Sequence, residues 1–255
     1  MRAVQIDWRT ALVFVAREPS WTERVAVGGL VLLLAPPAGW VLALGYGRLV
    51  GTRLVEGGTP VLPPWRGHVG SALRGGAKSA GVILAYFAPF LLAYWLLGAT
   101  PGDILRHRQE VAQFAGALAV FPPLALPLLP FLYAARYGWM HFSPADNLIL
   151  LVLFAGAVLL LPAAFLQIAL HRRFRAAFHV GSAIRMALAA PRLYAEAWAV
   201  SLAVSAASVL VLPLAPWLLF WSYLVISHVF LQVLARADRG APAALRAPQL
   251  QQVPT

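Results

Sequence analysis

Five long stretches of the sequence contain no Asp, Glu, Lys or Arg, and they constrain the fold more than any other feature. They cover residues 25–46, 79–102, 111–135, 147–170 and 197–235. A helix needs about 20 mostly apolar residues to cross the roughly 30 Å hydrocarbon core of a bilayer. Only 11% of the 255 residues are charged, against about 25% in a soluble domain. The sequence therefore predicts an all-α, polytopic helical membrane protein.

The net charge of +11 raises the question of nucleic-acid binding. The basic residues lie between the apolar stretches and not along one soluble surface, so we expect no nucleic-acid partner. In these positions they face anionic headgroups and set the orientation of the helices. The expected partner is the lipid bilayer with its anionic headgroups, and membrane-protein partners are left open. The chain has no cysteine, which excludes disulfides and thiol chemistry.

The ends of the chain differ from its centre. Within residues 1–24 the apolar core covers only 11–16 and is closed by Arg17-Glu18-Pro19, which is too short for a signal peptide. An apolar stripe at helical spacing predicts an interfacial N-terminal helix instead. Residues 25–236 form the predicted transmembrane domain, and residues 237–255, rich in Pro, Ala and Gln, a disordered tail. Without a signal peptide, we expect the cytoplasmic (inner) membrane of a prokaryote.

Two hexapeptides suggest an internal duplication: VGSALR at 69–74 and VGSAIR at 180–185. Each follows a leucine run interrupted by proline, at Pro36 in the first case and at Pro162 in the second. Each is followed by further apolar sequence with a proline-rich junction, PLALP at 123–127 and PLAP at 213–216. The order of elements predicts two pseudo-repeats, about 25–135 and 148–236, in which the two proline breaks coincide.

Both hexapeptides lie on predicted amphipathic helices, about 65–78 and 174–188. An apolar face opposite a basic face describes a helix that lies in the bilayer interface. The alternative is a solvated helix that packs on its own protein. The predicted interfacial basic residues are Arg66, Arg74, Lys78, Arg172, Arg173, Arg175 and Arg185.

The topology depends on whether residues 25–50 and 148–170 cross the membrane. Proline inside a helix removes a hydrogen bond and kinks or breaks it. The stretch 197–235 is long enough to count as two segments, which makes six in all. If all six apolar segments cross, 14 basic residues are cytoplasmic and 6 external; if 25–50 and 148–170 re-enter, the numbers are 18 and 2. The positive-inside rule therefore favours re-entrant or broken helices, four full spans and cytoplasmic termini. Full crossing by all six segments remains the alternative.

One pattern resembles a known family. Gly28-Gly29-Leu30, Pro36, Gly45-Tyr46 with Arg48 and Arg53, Gly57-Gly58 and Leu62-Pro63-Pro64-Trp65 occur in this order. This order resembles an uncharacterised family of bacterial and archaeal integral membrane proteins, known only as a domain of unknown function. In the second half the similarity covers 161–164 and 191–194, where the family often has Asn before the proline and this chain has Ala190. The resemblance implies a multi-helix membrane fold and no established activity.

Polar side chains inside the apolar stretches are the candidate functional residues, because they are costly in lipid and usually face protein or water. Gln167 and His171 are spaced i, i+4 on one helix face, as are His228 and Gln232. They line a polar cavity in one interpretation and make interhelical hydrogen bonds in the other.

Signs of catalysis are sparse. Asp103, His107 and Glu110 are interleaved with arginines, and His141 and Asp146 flank a Ser-Pro turn; both groups are interpreted as solvated turns and not as metal sites. We expect no catalytic residues, no cofactor and no metal. The sequence favours a non-enzymatic membrane module, either a scaffold or an accessory subunit that binds lipid or partners. The alternative is a small transporter or channel with a polar cavity between the pseudo-repeats, and a lipid-modifying enzyme ranks third.

Overall fold

The computed structural model describes residues 6–58, 61–98 and 143–240. These residues form eight α-helices and two 3₁₀ helices and contain no β-strand, which confirms the predicted all-α fold. The α-helices are α1 (Trp8–Arg17), α2 (Trp21–Leu34), α3 (Pro36–Glu56), α4 (Val69–Gly98), α5 (Pro144–His171), α6 (Val180–Ala189), α7 (Pro191–Leu210) and α8 (Ala215–Gly240). The 3₁₀ helices are Phe174–Phe178 and Leu212–Leu214.

Some sequence predictions concern residues outside these ranges. They are the apolar segment 111–135, the turn with Asp103, His107 and Glu110, His141, and the part of the tail beyond Gly240. Asp146 is described and lies in the first turn of α5. Its backbone N–H donates to the Ser143 hydroxyl at 3.2 Å, so the Ser-Pro turn begins a helix.

Three of the described helices are long and apolar enough to cross a bilayer: Val69–Tyr94, Pro144–His171 and Ala215–Val233. Large apolar side chains on their outer faces are exposed, among them Leu84, Leu92, Leu148 and Val152. Such a surface is unfavourable in water and suits a lipid environment. Helix α7, predicted to cross, is not among the three, and its first turns carry Arg192 and Glu196.

Helices α2 and α3 form a helical hairpin with its turn at Ala35. Two consecutive prolines follow this residue, and proline both lacks an N–H and disfavours helical torsions at the residue before it. Ala35 accordingly has φ −141° and ψ 68°. The backbones touch beside the turn, since a Cβ on Gly39 would lie 2.5 Å from the Val31 carbonyl oxygen. The predicted break at Pro36 is present; insertion of this hairpin into a membrane as a re-entrant loop stays a prediction.

Segment 61–65 closes the open end of the hairpin. The Trp65 indole Nε1 donates to the Arg24 carbonyl of α2 at 3.0 Å. The Tyr46 hydroxyl of α3 donates to the Pro63 carbonyl at 2.8 Å, and the Tyr46 and Trp65 rings stack at 4.3 Å between centroids. The Leu-Pro-Pro-Trp sequence thereby ties the first turns of α2 to the middle of α3.

The second predicted break, at Pro162, is not present, because helix α5 runs through this residue without interruption. The carbonyl of Leu159, in the turn before this proline, accepts a hydrogen bond from the Tyr194 hydroxyl at 2.5 Å. Neighbouring helices that bind the backbone groups around a proline allow a helix to continue past it. The interpretation of residues 148–170 as a broken or re-entrant segment is therefore wrong.

The pseudo-repeat is not confirmed. The hexapeptides begin α4 and α6, but the breaks at Pro36 and Pro162 do not coincide, since only the first exists. The second half breaks at Ala190 instead, before Pro191, with φ −143° and ψ 65°. The predicted separate helix 65–78 is also wrong, because residues from Val69 onward are the first turns of the 30-residue α4. Residues 174–188 do form two short helices, the first 3₁₀ helix and α6.

Candidate functional site

A cavity of about 120 Å³ lies where α3, α4, α5, α7 and α8 meet. It is enclosed mainly by aliphatic and aromatic side chains of α5 and α8. Few of the lining side chains carry a polar group, and these are Arg48, Ser79, Trp198, Tyr223 and Ser227. The main apolar lining residues are Leu44, Val158, Leu161, Phe165, Ile226, Phe230 and Leu231.

Two glycines of α3 shape the cavity wall. Tyr223 is pressed against the α3 backbone, because a Cβ on Gly47 would overlap its ring. Gly51, one turn further along, is buried, yet a Cβ there would meet nothing within 4 Å. The space in front of Gly51 therefore belongs to the cavity, and a larger side chain at this position would fill it.

Close packing of α3 against α4 holds this wall in place. A Cβ on Gly45 would overlap the Ala72 carbonyl, and one on Gly76 would overlap the Val41 carbonyl. Small residues let the backbones of membrane helices approach in this way. The contact fixes Arg48 beside α4, where its Nη1 would lie 3.3 Å from a Cβ on Gly75.

Arg48 is the charged group of the cavity. It is half-buried, and its guanidinium carbon lies 4.2 Å from the centre of the Phe174 ring. Lys78 of α4 approaches the same ring, with its Nζ at 5.2 Å. In the described part of the chain no Asp or Glu forms an ion pair with Arg48. A guanidinium keeps its charge at every physiological pH, so this end of the cavity is permanently cationic.

Gln167 does not line the cavity. Its side chain is buried, and with the amide oxygen turned toward the Ala183 N–H it makes two hydrogen bonds. The oxygen accepts from Ala183 at 2.6 Å and the nitrogen donates to the Ala176 carbonyl at 2.5 Å. Gln167 thus holds the first 3₁₀ helix and α6 against α5. His171, one turn further on, is exposed at the end of α5.

His228 and Gln232 meet each other, as their spacing predicts, but away from the cavity. Gln232 accepts from the Asp7 backbone N–H at 2.9 Å, donates to the Asp7 carbonyl at 3.0 Å and contacts His228 Nδ1 at 3.2 Å. The His228 ring stacks on Phe14 of α1 at 4.5 Å. This pair attaches the N-terminal helix to α8, which agrees with the interhelical interpretation and not with a shared polar centre.

The predicted interfacial basic residues are all exposed. Lys78 lies beside the 172–175 segment through Phe174. Arg172 pairs with Glu56 at 2.7 Å, which joins the end of α5 to the end of α3. Arg173 and Arg175 flank Phe174 in sequence, and the remaining exposed members are Arg66, Arg74 and Arg185. Within the described residues no three His, Asp or Glu side chains lie together as a metal site would require.

Sequence reasoning missed Arg48 as a functional candidate and used it only for the family resemblance. A usable signal exists. Arg48 ends the charge-free stretch that begins at Val25, and it shares a face of α3 with Leu44 and Gly51 at helical spacing. A single cation beside small residues in an apolar helix indicates a space that the cation faces.

Comparison with known proteins identifies the family of the chain. A model of the family described as "Protein of unknown function (DUF4013)" matches residues 28–221. This match begins at the Gly-Gly-Leu sequence of α2 and ends in the second turn of α8, so it includes the cavity-lining residues of α3, α4, α5 and α7 but not those of α8. It confirms the resemblance that the sequence motifs indicate. No curated protein and no solved structure matches the chain.

Proposed function

Since the chain belongs to the DUF4013 family, whose function is unknown, we propose a function from the cavity: a non-enzymatic membrane module that binds lipid. One observation carries the proposal, namely the apolar cavity between five helices with Arg48 in its wall. Apolar surroundings with few polar groups suit an acyl chain better than a hydrated ion. The basic residues around Phe174 suit anionic headgroups.

We place the module in the cytoplasmic membrane of a prokaryote with both termini on the cytoplasmic side. The apolar outer faces of α4 and α5 support a bilayer environment.

Purification in a mild detergent followed by native mass spectrometry tests the proposal. We expect the protein to retain lipid, and we expect Gly51→Leu to lose it because the new side chain occupies the cavity. The matched control is Gly81→Leu, at an exposed site on α4 where a Cβ also meets nothing within 4 Å. Retention of the same lipid by wild type and Gly51→Leu would contradict a cavity-bound lipid.

A small transporter is the second candidate, and the position of the cavity favours it. The cavity is lined by α3 and α4 from the first half of the sequence and by α5, α7 and α8 from the second half, and many transporters bind their substrates between two halves of the chain. Its apolar lining argues against an ion as the substrate. Flux of a fluorescent lipid across proteoliposomes that depends on the protein and stops with Gly51→Leu would favour transport over static binding.

A further inference from the structure

We infer that the cavity binds an anionic glycerophospholipid, with a segment of one acyl chain in the apolar space beside Gly51, the rest of the chain outside the cavity, and the phosphate between Arg48 and Lys78. The inference rests on the proposed lipid-binding function and names the lipid class. It draws on three features of the molecule: the unpaired cation Arg48, a second cation on the same aromatic ring, and an apolar space next to Arg48.

The first feature is the charge of Arg48. Placing a cation in the wall of an apolar cavity is unfavourable unless it is paired. Within the described residues Arg48 has the Phe174 ring but no carboxylate. Glu56, about two turns further along α3, is already paired with Arg172 at 2.7 Å. An anion from outside the chain would supply the missing partner.

The second feature is the position of Lys78. Arg48 and Lys78 both face Phe174, at 4.2 and 5.2 Å from its centre, so the two cations can be no further apart than these distances added together. Like charges held this close repel each other. A phosphate oxygen between them would remove the repulsion, and guanidinium binds phosphate with two parallel hydrogen bonds.

The third feature is the continuity between charge and apolar space. Arg48 and Gly51 lie three residues apart on α3, and both belong to the cavity wall. A free phosphate would satisfy the cations but leave the apolar space unused, and a neutral lipid would fill the space but leave the cations unpaired. An anionic membrane lipid satisfies both at once. Phosphatidylglycerol is the simplest lipid with this chemistry.

The experiment compares dioleoyl phosphatidylglycerol with dioleoyl phosphatidylethanolamine, which has the same chains and no net charge. The delipidated full-length protein in mild detergent is titrated with each lipid by native mass spectrometry. We expect wild type to prefer phosphatidylglycerol by about tenfold. Arg48→Gln and Lys78→Gln should each reduce this preference severalfold, whereas Arg17→Gln, at an exposed basic residue of α1 that does not line the cavity, should leave it unchanged. Since Lys78 is exposed, its variant is expected to fold even if Arg48→Gln does not.

The outcomes separate the two proposals. If Gly51→Leu abolishes binding of both lipids and the charge variants lower only the phosphatidylglycerol preference, both proposals stand. If Gly51→Leu abolishes binding but no charge variant alters the preference, lipid binding stands and the anionic assignment is overturned. If Gly51→Leu changes nothing, both are overturned. Displacement of phosphatidylglycerol by glycerol 3-phosphate, which has no acyl chain, would also overturn the inference in favour of a free-phosphate site.

Discussion

Two leucine-rich stretches of this chain contain proline near their middle, yet one folds as a hairpin and the other as a single helix. The first stretch reverses direction at Ala35, before Pro36 and Pro37, and the second stretch continues as a helix through Pro162. Two adjacent prolines remove two consecutive N–H donors and fix two φ angles, whereas one proline removes a single donor. The number of prolines is therefore the first difference between the regions.

The neighbours of the prolines provide the second difference. In the hairpin, Gly39 allows the two backbones to touch at Val31. In α5, Ala163 and Ala164 follow the proline and are buried, and the Tyr194 hydroxyl binds the Leu159 carbonyl. Proline in an apolar segment thus specifies a weak point, and the surrounding residues decide whether the helix reverses there or continues.

The largest effect on the free energy of unfolding is expected from glycine substitutions, which should act in opposite directions in the two regions. Gly39→Ala should lower the free energy of unfolding by about 1–3 kcal/mol, because the new Cβ would lie 2.5 Å from the Val31 carbonyl oxygen. Gly156→Ala in α5, where a Cβ meets nothing within 4 Å, should raise it by about 0.5–1 kcal/mol. Titration with SDS in mixed micelles measures both. Shifts of the same sign would mean that the hairpin does not close at Gly39.

Most of the fold could be predicted from the sequence, since charge-free stretches of this length leave few options besides membrane helices. The break at Pro36 could also be predicted, because Pro-Pro cannot continue a helix. The continuity of α5 could not. The turn before Pro162 is bound by Tyr194, which is 35 residues from Leu159 in the sequence, and no local pattern shows that a distant hydroxyl will bind that carbonyl.

The candidate site was less predictable for a related reason. The polar residues Gln167 and His228 contact other parts of the protein, but their partners lie on α6 and α1 and not around a shared centre. Arg48 reaches the cavity only because glycines on α3 and α4 bring the helices together. Such a space is a property of tertiary packing and leaves little trace in one helix.

The second effect tests whether Tyr194 compensates for Pro162. Tyr194→Phe should cost about 0.5–1.5 kcal/mol of unfolding free energy, because the Leu159 carbonyl loses the hydroxyl that binds it. Pro162→Ala returns an N–H donor to the Val158 carbonyl, one residue earlier, and removes the ring that distorts this turn. The Ala163 N–H can then bind the Leu159 carbonyl with better geometry, so we expect the cost of losing the hydroxyl to fall by about 0.5 kcal/mol or more. The double-mutant cycle is measured by the same SDS titration.

The matched control for this cycle lies in the hairpin. Tyr46→Phe removes a hydroxyl that binds the Pro63 carbonyl at 2.8 Å and has no contact with α5. Its effect should add to that of Pro162→Ala within about 0.5 kcal/mol. If Tyr194→Phe proved equally additive, the hydroxyl would not be what allows α5 to continue.

The smallest effect on stability is expected at two residues that flank helices of the two regions. Ser20 precedes α2 with φ 59°, and Arg172 follows α5 with φ 53°. Both are left-handed torsions that glycine adopts without strain. Ser20 makes no side-chain capping bond, so Ser20→Gly should stabilise the protein by a few tenths of a kcal/mol, the relief of strain being partly offset by greater freedom of the unfolded chain.

Arg172→Gly should give less, because it gains the same backbone relief but loses the ion pair with Glu56. Both partners are substantially exposed, at 66% and 40% of the side chain, so the pair contributes about 0.2–1 kcal/mol and is weakened by salt. The two variants should therefore differ at low ionic strength and converge at about 1 M salt, when the Debye length is roughly 3 Å. A difference that persists in high salt would mean that Arg172 stabilises the end of α5 through packing and not through its charge.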